Sequence, residues 1–391
     1  MKRVLVLDAA QRSALAVTRS LGRRGIVVYT AEETKHALAG CSCHSRCFFT
    51  HPSPRLQPDL FIEFLASMVK ERQIDLLLPM TELTTALLLM HQDVFPDAII
   101  PFPALEHVNA LADKSNLIRT AEMLGVPVPR TWFSTEAVQT GHDLASLRFP
   151  AVLKPARSWL CIQRQWQRAS VKFPFNNNEL EQLIRSDPVF RDHHYLIQEN
   201  VAGEGQGIFA IYDRGKPLAF FAHRRLREKP PSGGVSVLSE SIPVDPVMKG
   251  YACTLLDHVG WHGVAMVEFK VADDGTPYLM EINTRFWGSL QLAVDSGVDF
   301  PWLLYQLAGG DQPEVITSYR QGRRLRWLLG DLDSLYLILR DREHYTVADK
   351  LRAVMKFMTP SPFRTRHEVN RWSDPRPGWC ELMDYTRDLF R

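Results

Sequence analysis

The chain has 391 residues, of which 45% are hydrophobic, enough for a large core shared among two or three domains. Lys and Arg number 46 against 44 Asp and Glu, so the net charge of +2 gives neither nucleic acid nor an acidic membrane surface a footprint. Six cysteines are too sparse for a disulfide scaffold, which leads to the expectation of reduced thiols and a cytoplasmic protein.

The opening MKRVLVLDAA carries an apolar run too short for a signal-peptide core. No stretch approaches the roughly 20 apolar residues of a membrane span. KRVLVLD reads as a buried strand, RSALAVTRSLGRRG as a helix ending at Gly25, and IVVYTA as the next strand. LFIEFLASMVKERQ and IDLLLPMT repeat the helix–strand order. That alternation implies a parallel sheet, so residues 1–110 are expected to form a Rossmann-like domain. Its first turn, DAAQRSA, lacks the glycines that let a backbone approach a pyrophosphate, which argues against NAD-dependent chemistry. CSCHSRCFFTH gathers Cys41, Cys43 and Cys47 with His44 and His51, but C-x-C-x3-C matches no common zinc module, and a polar loop is expected. Thr81 and Glu82, in LLLPMTELTTALLL, either line a substrate or cap a helix.

ALADKSNLIRTAEMLGVPVPRTWF marks a second unit. Asp113 or Ser115 caps a helix with Leu117, Ile118, Ala121 and Leu124 on one face, and Gly125 ends it. FPAVLKPA is a strand ending in Lys154, and HHYLIQENVAGEGQGIFAIYD is a strand, a bend and a strand. Gln198, Glu199 and Val201 stand at that bend, with Gly203, Gly205 and Gly207 open to close backbone approach and Glu204 among them. HRRLREKPPSGGVS joins His223, Arg224, Arg225, Arg227 and Lys229 to the turn Ser232-Gly233-Gly234, a basic loop expected to lie over the sheet. A helix is expected from about Asp245 to Gly260. From about Asp311 to 391 the chain reads as a helical extension without chemistry of its own.

GVAMVEFKVADDGTPYLMEINTRF holds two extended runs around Asp274-Gly275, a two-residue hairpin signal. With those residues as the loop, Glu268 opposes Glu281, and Asn283 joins them on one face. Opposed carboxylates repel, so this face demands a shared proton or a hard cation such as Mg²⁺. Arg285 beside it suits phosphate oxygens. A solvated strand face is the plainer alternative.

In order along the chain, ADKSNLIRTAEMLGVPVP, AVLKP, IQENVAGEG, MVEF and LMEINTRF resemble the ATP-grasp superfamily, and within it the carboxylate–amine ligase group that includes carbamoyl-phosphate synthetase. The resemblance runs from about residue 110 to 310. It implies an α/β and α+β fold: a Rossmann-like domain, a two-subdomain ATP-grasp unit over 111–310 (divided near 193/194), and the extension. It also implies roles. Lys114 and Lys154 would contact nucleotide phosphates; Gln198, Glu199 and Val201 would form the adenine hinge; Glu204 would meet the ribose. Glu268, Glu281 and Asn283 would hold Mg²⁺, and Arg285 would face the transferred phosphoryl group. His223, Arg224, Arg225, Ser232, Gly233 and Gly234 would lie over the triphosphate or the acyl substrate.

Two departures stand out. Thr284 follows Asn283 where proline is frequent. The segment after Lys154, ARSWLCIQRQWQRASVKF, has no glycine, leaving Ser158, Arg164, Arg168 and Lys172 to cover the phosphates or freeing the loop for another task. The expected activity is an ADP-forming ligase that joins a small-molecule carboxylate to an amine of an amino acid or peptide, using ATP and Mg²⁺. The rival is a nucleotide-binding sensor or scaffold without turnover. Dimers are common in that family.

Overall fold

The computed structural model describes residues 2–135, 146–163, 165–358 and 364–389. The N-terminal unit runs β1 (Val4–Val6), α1 (Arg12–Gly22), β2 (Val28–Glu32), β3 (Cys47–Thr50), α2 (Pro58–Arg72), β4 (Leu76–Leu78) and α3 (Glu82–Met90). Its strands form a parallel sheet in the order β3-β2-β1-β4, as the alternation predicts. The expected polar loop at Cys41–His51 is in part a strand: Cys47–Thr50 adds an edge to β2. The expected third strand is thus fourth in sequence.

Helices α4 (Leu105–Ala112) and α5 (Lys114–Met123) lead to the second unit. Asp113 caps α5, its Oδ1 accepting from the Ser115 and Asn116 amides at 3.0 and 3.2 Å. There follow β5 (Thr131–Phe133), β6 (Ala151–Pro155), the hairpin of β7 (Trp159–Ile162) and β8 (Gln165–Arg168), α6 (Asn177–Ser186), α7 (Pro188–Asp192) and β9 (Tyr195–Glu199). Strands β5-β9-β6 make a small antiparallel sheet with its own core, including Leu153, Leu180, Phe190 and Ile197.

The largest sheet holds β10 (Glu204–Asp213), β11 (Lys216–Lys229), β12 (Val235–Ile242), β13 (Gly263–Val271) and β14 (Pro277–Asn283), with α8 (Pro246–His258) between β12 and β13. After β14 come α9 (Leu290–Ser296), α10 (Phe300–Gly309), β15 (Arg324–Arg326), α11 (Leu328–Arg340), α12 (Val347–Met358), β16 (Thr365–His367) and α13 (Arg376–Leu389). The order is β14-β13-β10-β11-β12-β15-β16. The C-terminal extension is therefore helical, yet it also supplies two strands to this sheet.

The extension returns to the first unit. Arg19 of α1, fully buried, bonds Asp374 Oδ2 at 2.9 Å and the carbonyls of Glu368 and Val369 at 2.8 Å each. Ser42 Oγ and the Cys43 amide also donate to Asp374. The expectation of reduced thiols throughout fails here: Cys41 and Cys380 form a disulfide, with Cα atoms 6.6 Å apart. Chain folding from opposite ends brings these two together, which spacing along the sequence does not reveal. Among the described residues no helix is long and apolar enough to cross a membrane.

Candidate functional site

The hairpin of β13 and β14 puts Glu268 opposite Glu281, but by another route than the two-residue turn. Ala272 pairs with Thr276 around a three-residue loop, Asp273–Gly275, with Gly275 at φ +87°. Pairing continues Val271↔Pro277, Lys270↔Tyr278 and Phe269↔Leu279, then jumps to Glu268↔Glu281. Met280 is the extra residue of a β-bulge. Were Met280 paired in line, it would oppose Glu268, and Glu281 would fall opposite Val267 on the core face. The bulge restores the parity that the shorter turn would have produced.

One row crosses four strands: Glu281↔Glu268↔Gly207↔His223. Residues opposed in register share a face. Gly207 leaves the middle of the row without a side chain. One step along, Gly205 lies under Arg225; a Cβ there would sit 3.2 Å from Arg225 Cδ. Arg225 thus crosses β10 and pairs with Glu268 Oε2. Its other nitrogen donates to Glu228 at 3.0 Å and to the Gly234 carbonyl at 3.2 Å. Asn283 Nδ2 donates to Glu268 Oε1 at 3.0 Å and approaches Glu281 Oε1 at 3.4 Å.

The two carboxylates are not equivalent. Burial pushes Glu281 upward, but Lys114, Lys154, Arg225 and Arg285 outweigh it and hold it below the usual range. Burial, with Glu281 opposite, raises Glu268 despite Arg225. Lys154, near the end of β6, is lowered by burial to about 8, against the pull of Glu281. Lys114 starts α5; its amide donates to the Ala156 carbonyl at 2.8 Å and its Nζ to Ser158 Oγ at 3.1 Å. Arg285 NH2 lies 3.7 Å from Glu82 of α3, and its NH1 donates to the Phe286 carbonyl at 2.9 Å. Glu82 is therefore at the site, while Thr81 caps α3 and also binds Asp8.

Other expected residues are placed elsewhere. Lys216–Lys229 is one strand rather than a basic loop over the sheet, so its side chains alternate faces. Arg224 falls on the face opposite Arg225, bonded to Glu240 at 2.7 Å and 3.8 Å from Glu204. Glu204 shares that face and accepts from Gln206 at 2.9 Å. Arg227 pairs with Asp331, and Lys229 with Asp333, both of α11. Ser232, Gly233 and Gly234 form the β11–β12 turn, in which the Gly233 amide donates to the Pro230 carbonyl at 3.1 Å. Gln198 is 2% exposed and donates to Thr131 Oγ1 at 2.9 Å, and the Glu199 amide donates to the Arg130 carbonyl at 3.0 Å. Val201 follows in the β9–β10 link. Gly203 serves a close approach, though to protein: a Cβ would meet the Val271 carbonyl at 2.2 Å.

The glycine-free segment is the β7–β8 hairpin, and the Trp166 amide donates to the Arg55 carbonyl of the first unit at 3.0 Å. Arg164 lies outside the described residues. Lys172 extends the β6 edge through backbone bonds with Leu153.

A cavity of about 440 Å³ lies over the carboxylate row, lined by Arg168, His223, Arg225, Glu268, Glu281, Asn283 and Arg285. Arg12, Ser236, Trp287 and Ser289 also line it. Arg12 is not legible in the sequence as a site residue, because the first turn lacks the glycines that mark a nucleotide turn. Its position just past a parallel strand's carboxyl end was the available signal. His223 is buried, packs edge-on against Phe209 at 4.6 Å and meets Ser289 Oγ at 3.2 Å. Burial and Arg225 hold its imidazole well below the usual value, hence neutral. Among the described residues, no group of three His, Cys, Asp or Glu could hold a metal.

The donor set still fits a hard cation. Glu268 Oε1, Glu281 and Asn283 converge, and Arg225 occupies only Glu268 Oε2. Turning the Asn283 amide over presents oxygen to the same point.

Residues 193–330 match the family model described as ATP-grasp in the biosynthetic pathway with Ter operon. A comparison with curated protein sequences returned no match. Among solved structures, the chain is similar to the biotin carboxylase–β-γ-ATP complex of Campylobacter jejuni at TM-score 0.65 and 16% identity, covering 83% of this chain and 74% of that one. It is similar to the L-amino acid ligase of Bacillus licheniformis at TM-score 0.58 and 16% identity, covering 79% and 74%. N5-carboxyaminoimidazole synthetase of Staphylococcus aureus complexed with ADP matches at TM-score 0.62 and 12% identity, covering 83% and 82%. The chain has the ATP-grasp fold.

Proposed function

We propose that this ATP-grasp protein is an ADP-forming ligase that activates a carboxylate as an acyl phosphate and joins it to an amine. The observation that carries this reading is the Glu268–Glu281 pair with Asn283 at 3.0 and 3.4 Å, ringed by Lys114, Lys154, Arg225 and Arg285. A purely structural sheet has no reason to bury two opposed carboxylates among four cations. The similarity to ligase structures containing ADP or an ATP analogue points the same way.

Glu268, Glu281 and Asn283 would hold Mg²⁺, which supplies charge neutralisation on the phosphate oxygens. Lys114 and Lys154 would bind the nucleotide phosphates, with β9 and its link to β10, at Gln198, Glu199 and Val201, flanking the base. Arg285 and Arg225 would orient the substrate carboxylate and neutralise the charge that builds up on the phosphoryl group. The attacking carboxylate oxygen bonds the γ-phosphorus as the bond to ADP breaks. The amine nitrogen then bonds the acyl carbon as phosphate leaves. The β7–β8 hairpin, held to Arg55, would keep water from the acyl phosphate. A second cavity of about 500 Å³ meets the first at Arg12 and Val235 and is walled by α13, giving the amine a route.

The test is phosphate release from ATP and Mg²⁺ with a pool of amino acids, followed by mass spectrometry of products. The wild type releases phosphate and forms an amide; Glu281→Gln does neither. Phosphate release that survives in the mutant removes the metal assignment. A nucleotide sensor without turnover draws on the glycine-free hairpin, and predicts stabilisation by Mg·ATP with no substrate-stimulated ADP.

A further inference from the structure

The cavity over the carboxylate row has two unlike walls. Glu268, Glu281 and Asn283 form one, with Arg225 and Arg285 beside them. The other is made by His223, Ser236, Trp287 and Ser289. Lys114 and Lys154 do not line the cavity, although both act electrostatically on Glu281. The cavity therefore lies on the arginine side of the carboxylate pair, away from the lysines assigned to the nucleotide phosphates.

Four polar atoms of its lining residues are shielded from solvent and have no hydrogen-bond partner among the described residues: His223 Nε2, Ser236 Oγ, Arg285 Nε and Trp287 Nε1. Buried polar groups in folded proteins are almost always paired, and each exception calls for an explanation. His223 and Trp287 are 1% and 2% exposed, so bulk water does not satisfy them. Trp287 is fixed against Phe209 at 4.4 Å and Phe300 at 5.1 Å, and His223 against Phe209, so neither can swing away to find a partner. The indole N–H and the guanidinium N–H can only donate. What completes this wall must carry acceptor oxygens. An aliphatic tail would leave the donors unpaired.

Resting on the ligase reading, we infer that the activated acid is small and polar, with a hydrogen-bonding group next to its carboxylate. His223, Ser236 and Trp287 select it. Its carboxylate sits at Arg285 and Arg225, and the adjacent hydroxyl, carbonyl or amino-bearing carbon meets the neutral wall. The volume of about 440 Å³ is shared with the phosphoryl group and its cation, which holds the acid to a few carbons. Sites built to pair with a substrate polar group reject analogues lacking it by up to roughly 10⁴-fold.

The test uses hydroxylamine as the amine, so that the acyl phosphate is trapped as a hydroxamate with release of phosphate. The probes are 2-hydroxy, 2-oxo and 2-amino acids of two to five carbons against fatty acids of equal length. The wild type is expected to use at least one polar acid with kcat/KM tenfold or more above its aliphatic match. Ser236→Ala and Trp287→Phe should each raise the KM of that acid tenfold or more, with the Kd of Mg·ADP shifted less than twofold. Equal use of aliphatic acids overturns the inference and leaves the ligase reading standing. An unchanged KM in Ser236→Ala, which removes the smallest of the three side chains, also overturns it. Hydroxamate from no acid overturns both readings together.

Discussion

Glu268 and Glu281 face one another only because Met280 bulges out of β14. The three-residue loop Asp273–Gly275 alone would set the strands one residue out of step, with the two carboxylates on opposite faces. The bulge thus makes the candidate cation site, because it takes up the one residue that the three-residue loop leaves out of step.

Deleting Met280 should remove the bulge and bring Glu281 directly after Leu279, still opposite Glu268 and on the same face. The expected result is a folded protein whose melting temperature still rises with Mg·ADP. Glu281→Gln should weaken Mg·ADP by at least about tenfold, roughly 1.4 kcal/mol. Calorimetric titration checks both. Mg·ADP binding by Glu281→Gln at the affinity of the wild type would show that the facing pair is not the cation site.

Lys154 gives a pH dependence with a definite sign. Its amine is lowered from 10.5 to about 8 by burial, despite Glu281. Between those values the unfolded chain holds a proton that the folded chain does not, so this residue's contribution to stability rises with pH across that window. Nucleotide binding runs the other way. Above about 8 the free protein's amine is neutral, and the phosphates must recover its proton. The Kd of Mg·ADP should weaken from pH 7 to pH 9, with proton uptake visible as a dependence of the binding enthalpy on buffer. Lys154→Met should bind weakly at every pH without that trend.

The parts of this site that were legible in the sequence are those written in local pattern. Alternation along residues 263–283 and a glycine turn place Glu268 against Glu281, and the Asp113 cap places Lys114 at a helix start. Asp274-Gly275 predicts a two-residue turn where the loop has three residues, and the bulge compensates, so the expected pairing is reached by another route. Read as a loop, the basic run keeps Arg224 beside Arg225. Once it is a strand, parity separates neighbours. The edge strand Cys47–Thr50 and the three-residue strands Arg324–Arg326 and Thr365–His367 are too short for any period to declare them. Arg12, Trp287 and Ser236 reach one cavity from three separate elements, which only the tertiary fold brings together.

The return of the C-terminal extension to α1 carries a stability prediction. Arg19 and Asp374 are 1% and 0% exposed and joined at 2.9 Å. Removing one partner leaves the other charge buried, at a cost of about 3–5 kcal/mol. Asp374→Ala also frees Ser42 Oγ and the Cys43 amide. The variant should lose that stability in urea titration, while Asp192→Ala, at an exposed pair, changes little. A midpoint for Asp374→Ala equal to the wild type's would mean that the extension does not depend on this pair.

On the ligase reading, the β7–β8 hairpin would stand in for a glycine-rich cover, and its working would differ accordingly. A glycine loop closes by backbone motion, whereas this hairpin is paired along Trp159↔Arg168 to Ile162↔Gln165. Trp159 and Trp166 pack against the main core, and the Trp166 amide is bonded to Arg55. Closure should therefore be a rigid docking of the hairpin on the first unit, with the indoles as its contact. Trp166→Ala removes apolar contact area on that side and should let the hairpin lift. Nucleotide would then leave faster, by about tenfold in koff, and phosphate would be released without amide because water reaches the acyl phosphate. Stopped-flow release of a fluorescent ADP and the ratio of amide to phosphate measure the two effects. If Trp166→Ala keeps both the wild-type koff and the wild-type ratio, the hairpin is not the cover, and the cleft is sealed by other elements.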